Sequence, residues 1–132
     1  MRALGGLLIA LSLAGCANFQ RPTCPIGQEQ LRTAQLFLGS SAASTASEAE
    51  LRRFVDQEIT PRFPGGLTVL DGGGQWQGAE NKLIREAAKV VLIVLPPSGE
   101  AQTRIEAVRT AYKTRFKQDS MMLVTQAACV AF

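Results

Sequence analysis

Six residues in the middle of the chain carry the side chains that a small binding or catalytic pocket would need. They are Arg62, Asp71, Gln75, Trp76, Arg85 and Glu86. The guanidinium group of Arg62 or Arg85 can hold an anionic or carbonyl ligand through paired hydrogen bonds. A carboxylate such as Asp71 or Glu86 can act as a base when burial raises its pKa. If the second and third strands form a hairpin, we expect Arg85 near Trp76, where it either stacks on the ring or pairs with Asp71. The same residue types also form arginine–carboxylate clamps that only hold a hairpin and a loop together, and we favour this structural interpretation.

The residues that are absent exclude several kinds of site. The chain has no histidine, which rules out a Ser-His-Asp triad, a Cys-His pair and histidine ligands for haem or zinc within one chain. No Cys-x-x-Cys pair occurs, so a thioredoxin-type site is excluded as well. Gly72-Gly73-Gly74 lacks the spacing of a dinucleotide-binding loop, and no P-loop lysine follows it. We interpret these glycines as a bulge or bend in a strand and expect no metal or cofactor.

The charge distribution argues against nucleic acid as a partner. The formal net charge is +3, and the basic residues alternate with acids rather than gathering into one stripe. A phosphate-binding surface needs lysine and arginine on one face. We therefore expect no binding to nucleic acid.

The first sixteen residues have the pattern of an export signal. Arg2 provides a positive charge, and the 13 residues 3–15 that follow contain none. This apolar stretch is shorter than the roughly 20 residues of a membrane-spanning helix. It ends in Leu13-Ala14-Gly15-Cys16, which resembles the lipobox of bacterial lipoproteins. The resemblance implies that residues 1–15 are a signal peptide and that palmitate or a similar acyl chain is attached at Cys16. Cleavage after Ala17 with plain secretion and an uncleaved anchor are the alternatives.

The residue after the lipobox favours one membrane over the other. In Gram-negative lipoproteins an aspartate at this position resembles an inner-membrane retention signal, and this chain has Ala17 instead. We therefore expect a lipid-anchored protein of the cell envelope that faces the periplasm, on the outer membrane rather than on the inner one.

Two cysteines remain once Cys16 carries lipid. Cys24 and Cys129 lie near the two ends of the mature chain, and an even pair in an oxidising compartment predicts a disulfide. A bridge that closes about a hundred residues is worth up to about 4.7 kcal/mol in the chain-entropy model. The alternative is a buried Cys129 in a strand and a loose Cys24.

The pattern of apolar residues predicts a tether at 16–30 followed by one domain at 31–132. Strands are predicted at 31–38, at 67–71 with a possible continuation to 76, at 83–95 and within 120–132. A capping box at Ser47–Glu50 begins a helix that Pro61 ends. Ser98 is predicted to cap a second helix at 99–117, and Tyr112 lies on its apolar stripe, where we expect it in the core.

The resulting order, β-α-β-β-α-β, predicts an α+β fold of the ferredoxin-like kind. In this sandwich two helices cover one face of a four-stranded antiparallel sheet. Right-handed crossovers place the first and third strands in the centre. The uncovered face of the sheet then either meets a second copy of the chain or forms an open cavity.

Several residues also carry a resemblance to a known family. The stretch from Thr60 to Val69, Asp71, Gly74-Gln75-Trp76 and Arg85-Glu86 with Lys89 occur in the order found in the exported bacterial proteins of the domain-of-unknown-function family 3574. The resemblance extends from about Arg32 to Phe132. It implies an exported location and this fold, and it implies no activity.

Three functions are consistent with these observations. The first, which we favour, is a non-enzymatic lipoprotein whose domain binds a ligand or serves as a structural accessory in the envelope. The second is a small cofactor-free enzyme of the dimeric ferredoxin-like type that acts on a small anionic or carbonyl ligand. The third is a module that adds a partner's strand at an exposed sheet edge. The membrane, through the lipid anchor, and a second copy of the chain are the expected partners.

Overall fold

The computed structural model describes residues 23–39 and 46–132, and its elements follow the predicted order. The strands are β1 (Glu29–Leu38), β2 (Thr68–Gln77), β3 (Leu83–Leu95) and β4 (Met122–Val130). The helices are α1 (Glu48–Phe54) and α2 (Glu100–Phe116). A π-helical turn at Val55–Ile59 and a 3₁₀ turn at Thr60–Arg62 continue α1, and a further 3₁₀ turn at Ala79–Asn81 joins β2 to β3.

The predicted signal peptide, the predicted lipidation site at Cys16 and residues 40–45 lie outside the described residues. Within the described ranges, no helix has both the length and the apolar character needed to cross a membrane.

The four strands form one antiparallel sheet in the order β2-β3-β1-β4. The first and third strands are central, as right-handed crossovers require. The predicted ferredoxin-like α+β fold is therefore confirmed. Strand β3 has the predicted bounds, whereas β1 begins two residues earlier than predicted because Glu29 and Gln30 pair with Val130 and Cys129 of β4.

Strand β2 runs without a break through its three glycines. Its register with β3 is continuous from Thr68, opposite Leu92, to Gln77, opposite Leu83. The predicted bulge at these glycines is therefore wrong. At Gly74 the structure gives another reason for glycine, because an added Cβ would lie 2.9 Å from Cγ of Glu86 on the neighbouring strand.

The first helix begins as predicted. The hydroxyl of Ser47 accepts a hydrogen bond from the backbone N–H of Glu50, and the Glu50 carboxylate accepts one from the backbone N–H of Ser47, which completes the capping box. The second helix differs, because Gly99 occupies the N-cap position and no side chain caps it. The predicted cap by Ser98 is wrong, since this residue contributes only its backbone oxygen, to the N–H of Ala101.

The core lies between the two helices and one face of the sheet. Both predicted helical stripes are buried, and alternate residues of β1 and β3 meet them. Phe54, Tyr112 and Phe116 form an aromatic cluster with ring centroids 5.1–5.6 Å apart. The other face of the sheet, which we call the open face, has no helix over it. It carries Leu31, Thr33, Gln35 and Phe37 of β1 and their neighbours on the other strands.

A disulfide joins the start of the described chain to its end. Cys24 and Cys129 are bridged with their Cα atoms 5.4 Å apart, as the sequence predicted. The bridge spans 105 residues and fixes the segment before β1 to the end of the edge strand β4. Every described element therefore lies inside or next to one closed loop.

Candidate functional site

The carboxylate of Asp71 lies in a cluster of charges at the β2 side of the core. Its nearest partner is Lys89, which lies directly opposite on β3 and donates a hydrogen bond from Nζ to Asp71 Oδ1. Two residues of α1 complete the cluster: Glu48 Oε1 is 3.6 Å from Lys89 Nζ, and Arg52 Nη2 is 3.9 Å from Asp71 Oδ2. The Lys89 side chain is only 1% exposed, so its charge requires these carboxylates.

This pairing makes Asp71 a poor candidate for a general base. The hydrogen bond from Lys89, and then the charge of the same lysine, lower the pKa of the Asp71 carboxyl below its ordinary value of 3.8. A base for catalysis near neutral pH needs a pKa that is raised instead. The geometry thus favours the interpretation of Asp71 as one half of a structural clamp.

Arg62 takes part in a different contact at the end of the first helical segment. Its Nη1 donates to the Glu58 carboxylate at 2.9 Å and to the Glu58 backbone oxygen at 2.6 Å. The backbone oxygen of Arg62 in turn accepts a hydrogen bond of 3.1 Å from Arg104 of α2. The side chain of Arg62 therefore closes the turn that follows α1, and its backbone oxygen ties this turn to α2.

The register of the β2–β3 hairpin places Arg85 and Trp76, two of the other predicted site residues, apart from each other. Arg85 lies opposite Gln75, and Trp76 lies opposite Ile84. Successive residues of a strand point to opposite faces, so Trp76 and Arg85 lie on different faces of the hairpin. The expected stacking of Arg85 on Trp76 is excluded by this register, and Lys89 takes the place of Arg85 as the partner of Asp71.

Glu86 is half-buried and lies against two glycines. A Cβ added at either Gly39 or Gly74 would come within 3.0 Å of Glu86 Oε1, so the carboxylate occupies space that only glycine leaves open.

Gly39 is also held by Tyr112, whose hydroxyl donates to the Gly39 oxygen and accepts a 2.9 Å hydrogen bond from its N–H. Burial, with a smaller contribution from the Glu86 charge, raises the pKa of Tyr112 above 10.0. Tyr112 is thus a core residue, as the sequence predicted.

The open face carries a cavity of about 790 Å³, which is one of the two alternatives expected for this face, but its lining residues were not predicted from the sequence. It lies where β2 begins, on the open face and around the adjacent edge of β3. Its walls are apolar side chains from the two central strands, from the segment after α1 and from the last residue of the chain: Leu31, Leu92, Val94, Phe63, Leu67 and Phe132.

Uncharged polar groups lie among these apolar walls. Thr33, Gln35 and Gln126 line the cavity from β1 and β4. Thr33 and Gln126 are opposite each other across the two strands. The Thr33 Oγ1 atom is buried and has no hydrogen-bond partner in the described part of the chain. Among the described lining residues only Glu29 and Arg104 carry charged side chains. An apolar cavity with a few polar groups is the usual form of a small-molecule site.

One sequence signal could have pointed to this site. Thr33 and Gln35 are polar residues that alternate with the buried Ala34 and Leu36 of a central strand. This alternation places uncharged polar groups in the middle of the open face, where an uncovered sheet would be expected to carry charges. The turn after α1 and the chain end, which wall the cavity, come together only in the folded protein.

The fold and the cavity define the class of protein as a ferredoxin-like α+β domain with a ligand-sized cavity on its open face. The family model described as protein of unknown function (DUF3574) matches residues 33–132, and the chain belongs to this family. No curated protein was found to match the chain.

Solved structures with a similar fold are distant in sequence. A phage SAM lyase in complex with S-methyl-5'-thioadenosine aligns with a TM-score of 0.54 at 14% identity, covering 84% of this chain and 95% of the lyase. A phage SAM lyase in its apo state aligns with a TM-score of 0.55 at 16% identity, over 78% of this chain and 90% of the lyase. CutA from Synechococcus elongatus gives 0.48 at 7% identity, over 76% and 78%. These similarities concern the fold alone.

Proposed function

We propose that this protein is a lipid-anchored, non-enzymatic binding domain of the cell envelope that holds a small, mostly apolar ligand in the open-face cavity. The observation that carries the proposal is the cavity of about 790 Å³ with the unpartnered Thr33 hydroxyl in its lining. A buried polar group without a partner costs roughly 1–3 kcal/mol, which a ligand with a suitable acceptor or donor would recover. The apolar walls would supply most of the binding free energy.

The states of the acidic residues support a binding role over an enzymatic one. Asp71 is held by Lys89 with a lowered pKa, and it belongs to the charge cluster instead of the cavity. Arg62 is engaged by Glu58. Of the six residues that the sequence suggested for chemistry, none lines the cavity in the described part of the chain.

The anchor is the second part of the proposal. Acylation at Cys16 would hold the domain at the membrane, and two or more acyl chains give stable anchoring where one is marginal. Treatment with globomycin or the change Cys16→Ser should abolish incorporation of labelled palmitate. Membrane fractionation should find the acylated protein without substitutions in the outer membrane. Palmitate label that persists in Cys16→Ser would refute the anchor.

Binding can be tested on the chain from Ala17 onward, exported to the periplasm by a cleavable secretory signal. This chain keeps all the described elements and the disulfide, which lie between Cys24 and Phe132. The uncharged fluorescent probe N-phenyl-1-naphthylamine should bind to it with one site. S-methyl-5'-thioadenosine, which the phage lyase binds, serves as a more polar competitor.

Two matched variants decide where the probe binds. Val94 and Val124 are 37% and 40% exposed on the same face of the sheet, but only Val94 lines the cavity. Val94→Trp should fill the cavity and weaken probe binding at least tenfold, whereas Val124→Trp should leave it within about twofold. Equal binding by both variants, or no binding by the unchanged protein, would contradict the proposal.

We further propose that the rest of the open face pairs with a second copy of the chain. Leu70, Met122 and Val124 are 48%, 57% and 40% exposed there, and they lie outside the cavity lining. Exposed apolar patches of this kind mark association surfaces. A dimer built on this half of the face would leave the other half, which carries the cavity, accessible to a ligand.

A further inference from the structure

We propose that the ligand of the cavity is a fatty acid, with its acyl chain along the apolar walls and its carboxylate at Arg104. This inference rests on the proposed binding function and names the ligand class of the same site. Three observations support it: the position of the cavity in the chain, its size and the charges at its rim.

The cavity lies at the end of the domain that the anchor reaches. Glu29, the first residue of β1, lines it and lies five residues after Cys24, which the disulfide fixes to the end of β4. Cys24 follows Cys16, the proposed anchor, by eight positions, and a chain of that length spans at most about 28 Å. The cavity therefore stays close to the membrane surface, where acyl chains are the most abundant apolar molecules.

The size of the cavity suits one acyl chain. A methylene group needs about as much room as a water molecule in the liquid, roughly 30 Å³, so a chain of about sixteen carbons needs roughly 480 Å³. The cavity of about 790 Å³ holds such a chain and leaves room for the headgroup.

The rim of the cavity offers one cation. Arg104 is the only lysine or arginine among the described lining residues. Its Nη2 donates to Glu100 Oε2 at 2.7 Å, in a pair on one helix turn whose side chains are 38% and 72% exposed. Such exposed pairs contribute little to stability, so a ligand carboxylate can replace Glu100 at small cost. The second contact of Arg104, from Nη1 to the Arg62 oxygen, keeps the guanidinium in place meanwhile.

A chain-length series tests the acyl part of the inference. Saturated fatty acids of increasing length, each below its micellar concentration, should displace N-phenyl-1-naphthylamine from the chain that begins at Ala17. Each added methylene should tighten binding by about fourfold until the cavity is full. Displacement that does not depend on chain length, or no displacement while the probe still binds, would overturn the fatty-acid assignment and leave the binding function intact. If the probe does not bind to the unchanged protein, the proposed binding function itself is wrong.

Substitutions at the rim test the carboxylate part. Arg104→Gln should weaken binding of the fatty acid by about tenfold or more but leave the fatty alcohol of equal length unchanged. Glu100→Gln, which frees the guanidinium, should tighten binding of the acid. Lys113→Gln removes an exposed cation elsewhere on α2 and is the matched control, with no expected effect. If Arg104→Gln weakens acid and alcohol equally, or if an alkylamine binds better than the acid, the assignment of the carboxylate to Arg104 is wrong.

Discussion

The change Tyr112→Phe removes one hydroxyl and leaves the packing of the ring in place. The ring contacts Phe54 and Phe116 with centroids 5.6 and 5.1 Å away, and the side chain is 2% exposed. Only the hydroxyl reaches Gly39, where it accepts from the N–H and donates to the oxygen of the last described residue before positions 40–45. The variant therefore isolates the energy of these two hydrogen bonds.

The expected loss follows from the two bonds. Each contributes about 0.5–1.5 kcal/mol, and Gly39 is partly buried, so that water replaces the hydroxyl only in part. We expect a decrease of about 1–2 kcal/mol in the free energy of unfolding, and in a domain of about 100 residues each kcal/mol lowers the melting temperature by roughly 4–8 °C. Tyr112→Leu, which also removes the ring contacts, should cost more. Scanning calorimetry at neutral pH measures both variants.

Titration of the same residue provides an independent check. The chain has one tyrosine, so the near-ultraviolet absorbance of tyrosinate reports Tyr112 alone. Because its pKa in the folded state is raised above 10.0, the stability it confers is complete below that pH and is lost as the pH rises through the folded-state pKa. Ionisation at the ordinary pKa in folded protein, or a melting temperature for Tyr112→Phe within about 1 °C of the unchanged protein, would refute this account.

Three other predictions follow from the contacts of the fold. Replacing Cys24 and Cys129 by serine should lower the free energy of unfolding by up to about 4.7 kcal/mol in urea titrations, because the bridge closes a loop of 105 residues; an unchanged midpoint would count against this. Met122→Glu should convert the proposed dimer to monomer in sedimentation equilibrium, and a protein that is already monomeric would contradict the pairing of open faces. Asp71→Asn should destabilise the domain more than Lys89→Met, since only the first leaves a buried cation without its nearest carboxylate. The stability from Asp71 should be present above pH 3.8 and be lost as the pH falls through its lowered pKa, a dependence that the asparagine variant should lack.

The charge cluster shows how a candidate site can be misread when register is not counted. Asp71 and Arg85 are both near the hairpin, and their charges suggested a pair. The connection from Gly78 to Lys82 sets Gln77 opposite Leu83, and this register places Lys89 opposite Asp71. Counting back from that connection would have found the pair, because a hairpin's register follows from its loop.

The sequence by itself determined the parts of this protein that depend on neighbours along the chain. The stripes of α1 and α2, the capping box at Ser47, the bounds of β3 and the order of elements follow from local periodicity and from backbone hydrogen bonding within a few residues. The disulfide between Cys24 and Cys129 could also be predicted, because the export pattern implies an oxidising compartment in which two remaining thiols tend to form a bridge.

Only the tertiary structure decided where a ligand can fit. The cavity needs Thr33 of a central strand, the turn after α1, Arg104 of α2 and the final Phe132 to meet around the edge of β3. These residues are separated by up to a hundred positions, and no local pattern fixes their distances. Their meeting results from the crossovers and the packing of the helices, which depend on the burial of the whole core.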